Sequence, residues 1–206
     1  MKKYYITGIG TGVGKTFISA ILTEALQADY WKPIQCGMLN GTDSERISAL
    51  ITNSNAVIHK ESYCFKEPVS PHWAAEMDFE KISPEKLILP QTNNTLIIEG
   101  AGGMMAPLTE NTYAIDLARE FDAEVILVCR NYLGCINHSL LSLDYLLRNE
   151  FEIKGIILNG NFDKQVKAAI CNYSEIPVLA EIPEISEISK ETVLTQTQKI
   201  NLSLFE

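Results

Sequence analysis

A glycine-rich segment near the N-terminus has the residue types that bind phosphate. Residues 8–16 read Gly-Ile-Gly-Thr-Gly-Val-Gly-Lys-Thr. Such glycines let backbone N–H groups turn towards phosphate oxygens, and a following helix adds its positive N-terminal end. Lys15 is expected to contact the β- and γ-phosphates, and the Thr16 hydroxyl to coordinate Mg²⁺. The segment predicts a nucleotide-binding P-loop rather than a chance Gly-rich turn, although Gly8 makes it one residue longer than the general pattern.

Three charged residues further along the chain could complete such a site. Glu99 follows the apolar run at residues 95–98 and precedes Gly-Ala-Gly-Gly, and α/β sheets bind ligands at such strand ends. A solvated loop carboxylate is the alternative for Glu99. Asp43 could hold a metal or cap a helix. Lys32, at the predicted end of a second strand, could neutralise a transferred phosphoryl group or lie in solvent.

The elements that must position these residues alternate along the chain. Continuous apolar runs predict buried strands at residues 4–7, 95–98, 124–129, 153–158 and 177–180. Apolar residues at helical spacing predict helices at residues 16–26, 44–51, 114–121, 136–149 and 164–173, with another beginning after Ser83. The stretch from Asn40 to Pro90 is expected to be an irregular excursion over the sheet edge. The repeated β-α units predict one α/β domain, residues 1–206, with a central, mainly parallel sheet flanked by helices.

Composition excludes several classes of function. The 206 residues carry a net charge of −9, which argues against nucleic-acid or anionic-membrane partners. No apolar stretch approaches the roughly 20 residues that span a bilayer. The N-terminus lacks the features of a secretory signal, so we expect a cytoplasmic protein. The five cysteines form no C-x-x-C pair and therefore indicate neither a disulfide framework nor a zinc site.

Several segments, taken in order, resemble the dethiobiotin synthetase family over nearly the whole chain. They are the long P-loop at residues 8–16, Lys32-Pro33 with Gly37, residues 68–72, residues 99–103, residues 134–138 (Gly-Cys-Ile-Asn-His) and residues 181–183. The extra residue in the P-loop is normal for that family. Several short matches in one order are far more specific than a P-loop alone.

This resemblance implies a three-layer P-loop NTPase fold and an ATP- and Mg²⁺-dependent ligase of biotin biosynthesis. Family members close the ureido ring of dethiobiotin from 7,8-diaminononanoate and CO₂. The reaction passes through a carbamate and a carbamic-phosphoric anhydride and releases ADP and phosphate. The resemblance also implies a homodimer whose active site lies at the subunit interface.

The resemblance assigns roles to particular residues of this chain. Lys15, Lys32 and Thr11 would be catalytic, and Thr16, Asp43 and Glu99 would surround Mg²⁺. The nucleotide would contact Gly12, Val13, Gly14, Lys15, Thr16, Phe17, Asp43, Glu99, Gly100, Ala101, Gly102, Asn159, Gly160 and Pro183, with Asn159 reading the adenine. The other substrate would contact Cys36, Gly134, Cys135, Ile136 and Asn137. The last four residues would begin a helix that holds the carboxylate tail of the diamine bound to the partner subunit.

Two positions depart from the family pattern, and two other classes of protein are alternatives. Gly12 stands where the family often has an acidic residue, and Cys36 replaces a common serine with a weaker S–H donor. One alternative is a related P-loop ligase, such as the synthetase half of a cobyrinate amidotransferase, but we expect no room for its glutaminase domain. The other is an ATP-driven partitioning or positioning switch, a protein that uses ATP hydrolysis to change partners. Members of that class typically have a second lysine early in the P-loop. Residues 9–13 contain none.

Overall fold

A parallel β-sheet forms the centre of the molecule in the computed structural model, which describes residues 1–39 and 41–206. The strands in these residues are β1 (Lys3–Gly8), β2 (Asp29–Trp31), β3 (Ile34–Cys36), β4 (Ile58–His59), β5 (Tyr63–Phe65), β6 (Leu96–Glu99), β7 (Glu124–Arg130), β8 (Ile153–Asn159) and β9 (Val178–Ile182). The large sheet has the order β4-β2-β6-β1-β7-β8-β9, and β3 pairs with β5 in a small second sheet. Each of these pairings is parallel, which confirms the predicted sheet.

Helices cover both faces of the large sheet. They are α1 (Lys15–Ala25), α2 (Asp43–Leu50), α3 (Pro71–Met77), α4 (Asp116–Glu120), α5 (Cys135–Arg148), α6 (Lys164–Cys171) and α7 (Lys190–Thr197). Alternate residues of a strand point to opposite faces. Accordingly, Tyr4 and Ile6 of β1 belong to one apolar core with residues of α1, α2 and α7. Tyr5 belongs to a second core with residues of α3, α4, α5 and α6. The predicted three-layer architecture is therefore confirmed.

The predicted long strands and helices begin and end within two residues of the observed ones. The helix expected after Ser83 is a short 3₁₀ turn at Pro84–Lys86. The end of the second strand was predicted at Lys32, one residue beyond the end of β2. Prediction missed α3, α7 and the short strands β3 to β5, because two or three residues show no periodicity and α7 buries only two side chains. None of the helices described for this chain is long and apolar enough to cross a membrane.

The stretch predicted to be irregular begins at Asn40, which lies outside the described residues. From residue 41 onwards it contains α2, β4, β5 and α3. Strand β4 forms one edge of the large sheet, whereas β5 leaves that sheet and pairs with β3. The expected excursion over the sheet edge is therefore more ordered than the sequence indicated.

Strand order brings distant parts of the sequence together. Strand β6 lies between β2 and β1, with Trp31 opposite Ile98 and Glu99 opposite Ile6. Because these strands are parallel, their carboxyl ends meet at one edge of the sheet. Lys32, Glu99 and the glycine-rich loop after β1 converge there.

Candidate active site

The glycine-rich loop connects β1 to α1 and is held from behind by β8. Gly14 has a positive φ of 93°, and a Cβ at this position would lie 2.3 Å from Asn159 Nδ2. That amide donates a hydrogen bond to the Val13 carbonyl at 2.8 Å. Within the described residues, α1 begins without a side-chain cap, so the N–H groups of its first turn remain available to an anion.

A buried cluster of charged residues lies beside this loop. The Lys32 ammonium donates to Asp43 Oδ2 at 2.5 Å and to Glu99 Oε1 at 3.0 Å. The Thr16 hydroxyl donates to the same Glu99 oxygen at 2.9 Å. Lys32 and Glu99 are 5% and 1% exposed, so the alternatives in which either side chain is solvated are wrong. The structure thus joins three of the sequence-predicted charged residues and Thr16 in one network.

Asp43 is free to join the network because another residue caps its helix. The Thr42 hydroxyl accepts from the Glu45 N–H at 3.2 Å, and the Glu45 carboxylate accepts from the Thr42 N–H at 2.8 Å. This reciprocal pair is a capping box. The alternative in which Asp43 serves as the helix cap is therefore wrong, and its carboxylate faces Lys32 instead.

The two lysines of the site differ in their electrostatic surroundings. Burial lowers the pKa of Lys15 to about 8, and the nearby carboxylate of Glu99 only partly offsets that effect. Burial also disfavours the charged form of Lys32, but the Glu99 and Asp43 carboxylates outweigh it and raise the Lys32 pKa. Lys32 is therefore a firmly charged ammonium, whereas Lys15 is a cation that becomes fully stabilised only when an anion joins it.

A cavity of about 1290 Å³ opens above this network. Its lining contains most of the residues that the sequence assigned to the site: Thr11, Gly12, Gly14, Lys15, Thr16, Phe17, Lys32, Cys36, Asp43, Glu99, Ala101 and Gly102. Burial raises the pKa of the Cys36 thiol to about 11, so this side chain faces the cavity as a neutral thiol. Candidate nucleotide and substrate contacts thus share one space.

Other predicted site residues lie outside the lining of this cavity in the described part of the chain: Val13, Gly100, Asn159, Gly160, Pro183 and residues 134–137. Val13 and Asn159 instead bond to each other behind the loop. Gly134 is the N-cap residue immediately before α5, with a φ of 102°, and the preceding Leu133 is fully exposed. The start of α5 is therefore not part of this cavity in the described structure.

Three residues that contact the network were missed from the sequence. The Tyr30 hydroxyl donates to Glu99 Oε2 at 2.9 Å, and the side-chain oxygen Oε1 of Gln35 accepts from the Asp43 backbone N–H at 3.2 Å. Arg46 Nη1 lies 3.4 Å from Asp43 Oδ1 and lines the cavity. The helical spacing of Arg46 from Asp43 was a usable signal. The sequence contains no signal for Tyr30 or Gln35, because their contacts depend on how the strands pair.

A parallel sheet, a P-loop entering a helix and a carboxylate at the end of the adjacent strand define the P-loop NTPase class. Solved structures of P-loop ATPases share the fold of this chain. A ParA family ATPase from Chlorobium tepidum has a TM-score of 0.56 at 15% identity, covering 98% of this chain and 92% of its own. MinD from Pyrococcus horikoshii, complexed with Mg-ADP, has a TM-score of 0.54 at 18% identity, covering 95% and 86%.

Sequence comparisons identify the family within this class. A family model described as an AAA domain (AAA_26) matches residues 2–192. The ATP-dependent dethiobiotin synthetase BioD of Cytophaga hutchinsonii is 46% identical over 201 residues, 97% of each chain. The enzyme of the same name from Christiangramia forsetii is 42% identical over 205 residues, 100% of this chain and 99% of its own. The chain therefore belongs to the ATP-dependent dethiobiotin synthetase family of enzymes.

Proposed function

We propose that this protein catalyses the ATP- and Mg²⁺-dependent closure of the ureido ring of dethiobiotin from 7,8-diaminononanoate and CO₂. The observation that carries the proposal is the buried network of Lys32, Asp43, Glu99 and Thr16 beside the P-loop. It supplies fixed positive charge and carboxylates next to the expected position of the γ-phosphate. Phosphoryl transfer depends mainly on such positioning and charge neutralisation.

The proposed chemistry has three balanced steps. An amine of the diamine adds to CO₂ and loses a proton to solvent, which gives a carbamate. A carbamate oxygen attacks the γ-phosphorus of ATP, and the bond to ADP breaks. The second amine then attacks the carbonyl carbon of the carbamic-phosphoric anhydride, expels phosphate and loses its proton as the ring closes.

Lys15, Lys32 and Thr11 are the residues we assign to catalysis. Lys32 carries a permanent positive charge into the cavity, where it would stabilise the carbamate and the moving phosphoryl group. Lys15 would gain its full charge on contact with phosphate oxygens. Thr11 lines the same cavity on the loop and would position the phosphoryl group. Cys36 would contact the diamine.

The donor set at the network fits a magnesium ion that is shared with nucleotide phosphates. Thr16, Asp43 and Glu99 offer one hydroxyl and two carboxylates, and Mg²⁺ is usually held by one or two carboxylates together with phosphates and waters. When bound, the ion would neutralise charge on the phosphates.

The nucleotide base would lie where β8 and β9 end. Asn159 closes β8 and contacts the loop through Val13, and the Gly160 N–H bonds to the carbonyl of Ile182, which precedes Pro183. These contacts join the P-loop to the proposed adenine site. Asn159 would then read the adenine, with Pro183 closing the pocket.

A homodimer would account for the remaining substrate contacts. The start of α5, residues 134–137, lies outside the cavity of its own subunit in the described structure. The N–H groups of its first turn that lack a backbone acceptor would suit a carboxylate. In a dimer with the active site at the interface, this helix start would bind the carboxylate of a diamine held in the partner's cavity. We also place the enzyme in the cytoplasm.

The direct test is an assay of ADP release with bicarbonate, with and without 7,8-diaminononanoate, followed by mass detection of dethiobiotin. Lys32→Ala should lower kcat by about a hundredfold or more, because a charge partner of the transition state is lost. Lys154→Ala is the matched control, since Lys154 is also largely buried and paired with a carboxylate, Glu124, at 3.4 Å. Lack of diamine-dependent ADP release would refute the proposed function.

Mixed dimers test the shared site. Inactive Lys15→Ala subunits mixed with subunits altered at Asn137 should recover part of the activity, because one site in each mixed dimer is intact. Mixing Lys15→Ala subunits with Lys32→Ala subunits is the control, because both changes lie in the same cavity and leave neither site complete. No recovery in verified mixed dimers would contradict a site built from two subunits.

A further inference from the structure

Glu99 is held from two sides, and the two sides face different parts of the molecule. Its Oε1 atom accepts hydrogen bonds from Thr16 at 2.9 Å and from Lys32 at 3.0 Å, both of which line the cavity. Its Oε2 atom accepts from the Tyr30 hydroxyl at 2.9 Å. Among the described residues, Tyr30 is the one donor to this second oxygen.

Tyr30 approaches Glu99 from the apolar core that contains residues of α1, α2 and α7 rather than from the cavity. It lies on β2, where its register partner on β6 is Ile97, two residues before Glu99. Its side chain is fully buried, and it does not belong to the cavity lining of the described structure. Tyr30 therefore has no route to substrate and can act on the reaction only through Glu99.

The hydrogen bond of Tyr30 meets two physical needs of a buried carboxylate. Glu99 is 1% exposed, and a buried charge is costly unless its oxygens are hydrogen-bonded. The terminal torsion of a glutamate side chain is also broad, so a carboxylate with a single anchor can rotate.

We propose that Tyr30 is a positioning residue that fixes the Glu99 carboxylate so that Oε1 faces Thr16 and the magnesium-nucleotide. The inference rests on the proposed function, in which Glu99 helps to hold Mg²⁺. Substituting a residue that orients a metal ligand without touching the metal commonly lowers metal affinity by a large factor. Tyr30 would therefore set how strongly Mg²⁺ improves nucleotide binding, without touching the nucleotide.

Tyr30→Phe tests this role because it removes only the hydroxyl. Calorimetry would measure the affinity for a non-hydrolysable ATP analogue in Mg²⁺ and in EDTA. The readout is the ratio of the two affinities, which we call the gain from Mg²⁺. The variant should bind the analogue in EDTA within about twofold of the unaltered protein, while the gain from Mg²⁺ falls about tenfold or more. The KM for Mg²⁺ in turnover should rise by a similar factor, with kcat recovering at high Mg²⁺.

Tyr63→Phe is the matched control. Tyr63 is also a buried tyrosine whose hydroxyl makes a hydrogen bond, in this case from the Ser83 N–H at 3.0 Å, but it does not contact the network. This variant should keep the full gain from Mg²⁺. If Tyr30→Phe also keeps it, or if the control loses as much, the positioning role is wrong.

A double-mutant cycle with Glu99→Gln separates positioning from a general effect on the core. In the Glu99→Gln background, Tyr30→Phe should have little further effect on the gain from Mg²⁺, because its target is already lost. An equal loss in both backgrounds would overturn the inference. The binding readout needs no diamine, so failure of ring closure in the turnover assay would refute the proposed reaction without touching the role of Tyr30.

Discussion

Gly14 gives a sharp test of how the loop is built, because Gly12 provides a matched comparison. Both glycines have positive φ, 93° for Gly14 and 73° for Gly12. A Cβ at Gly12 would have nothing within 4 Å, whereas a Cβ at Gly14 would lie 2.3 Å from Asn159 Nδ2. Gly12→Ala therefore adds backbone strain alone, and Gly14→Ala adds the same strain together with a steric overlap.

The two costs can be worked from this geometry. An alanine in the left-handed region costs about 1 to 2 kcal/mol, which applies to both variants. In Gly14→Ala, Asn159 must also move and break its 2.8 Å hydrogen bond to the Val13 carbonyl. Leaving a buried carbonyl unsatisfied costs about 1 to 3 kcal/mol. We expect Gly14→Ala to lower the free energy of unfolding by about 2 to 5 kcal/mol in total, since the two terms add.

Urea denaturation of the unaltered protein and both variants measures these differences directly. Any effect of alanine on the unfolded chain is common to both variants and cancels in the comparison. ADP affinity, measured by calorimetry, should fall more in Gly14→Ala than in Gly12→Ala, because the loop loses its support from β8. Equal loss of stability in the two variants would show that Asn159 does not brace the loop.

Two further predictions concern titratable groups. Because the pKa of Lys15 is lowered to about 8, part of this residue is neutral at pH 8.5, so ADP binding should take up protons at that pH and much less at pH 6.5. Calorimetry in buffers of different ionisation enthalpy measures the uptake, which should vanish in Lys15→Arg; an unchanged uptake there would assign it to another group. The Glu24 carboxylate accepts from the Thr52 N–H and hydroxyl at 2.6 and 2.7 Å and from the Asn53 N–H at 3.0 Å, so Glu24→Gln should cost about 1 to 3 kcal/mol of stability at pH 7. Burial opposes ionisation of Glu24, but these bonds lower its pKa below the ordinary 4.5, so its contribution is present above that pH and is lost as the pH falls through the lowered value. Denaturation at pH 7 and pH 3 checks this sign, and a difference that grows on acidification would contradict it.

The local elements could be predicted from the sequence because each has its own signal. The glycine spacing and the Gly-Lys-Thr end predict the loop at residues 8–16, and continuous apolar runs predict the long strands. Lys32, Asp43 and Glu99 were also found, because strand ends and turn residues mark positions where side chains can meet a ligand. For each of these three residues, however, the sequence left a structural or solvated alternative open.

Only the tertiary structure removed those alternatives. The order of β2, β6 and β1 in the sheet puts Lys32 within hydrogen-bond distance of Glu99, although 67 residues separate them in sequence. Strand order has no local signature, because it depends on which apolar faces pack together. For the same reason the sequence could not reveal that Tyr30 supports Glu99.

The sequence by itself determined the class of chemistry, since glycines, a lysine and a threonine at fixed spacing can bind phosphate in any fold that supplies a strand before and a helix after. The tertiary structure decided which charges act together. It buried Lys32 between two carboxylates, left the pKa of Lys15 near 8, and left the start of α5 outside the lining of the cavity in the described residues. Burial and proximity set those properties, and both arise only when distant segments pack against one another.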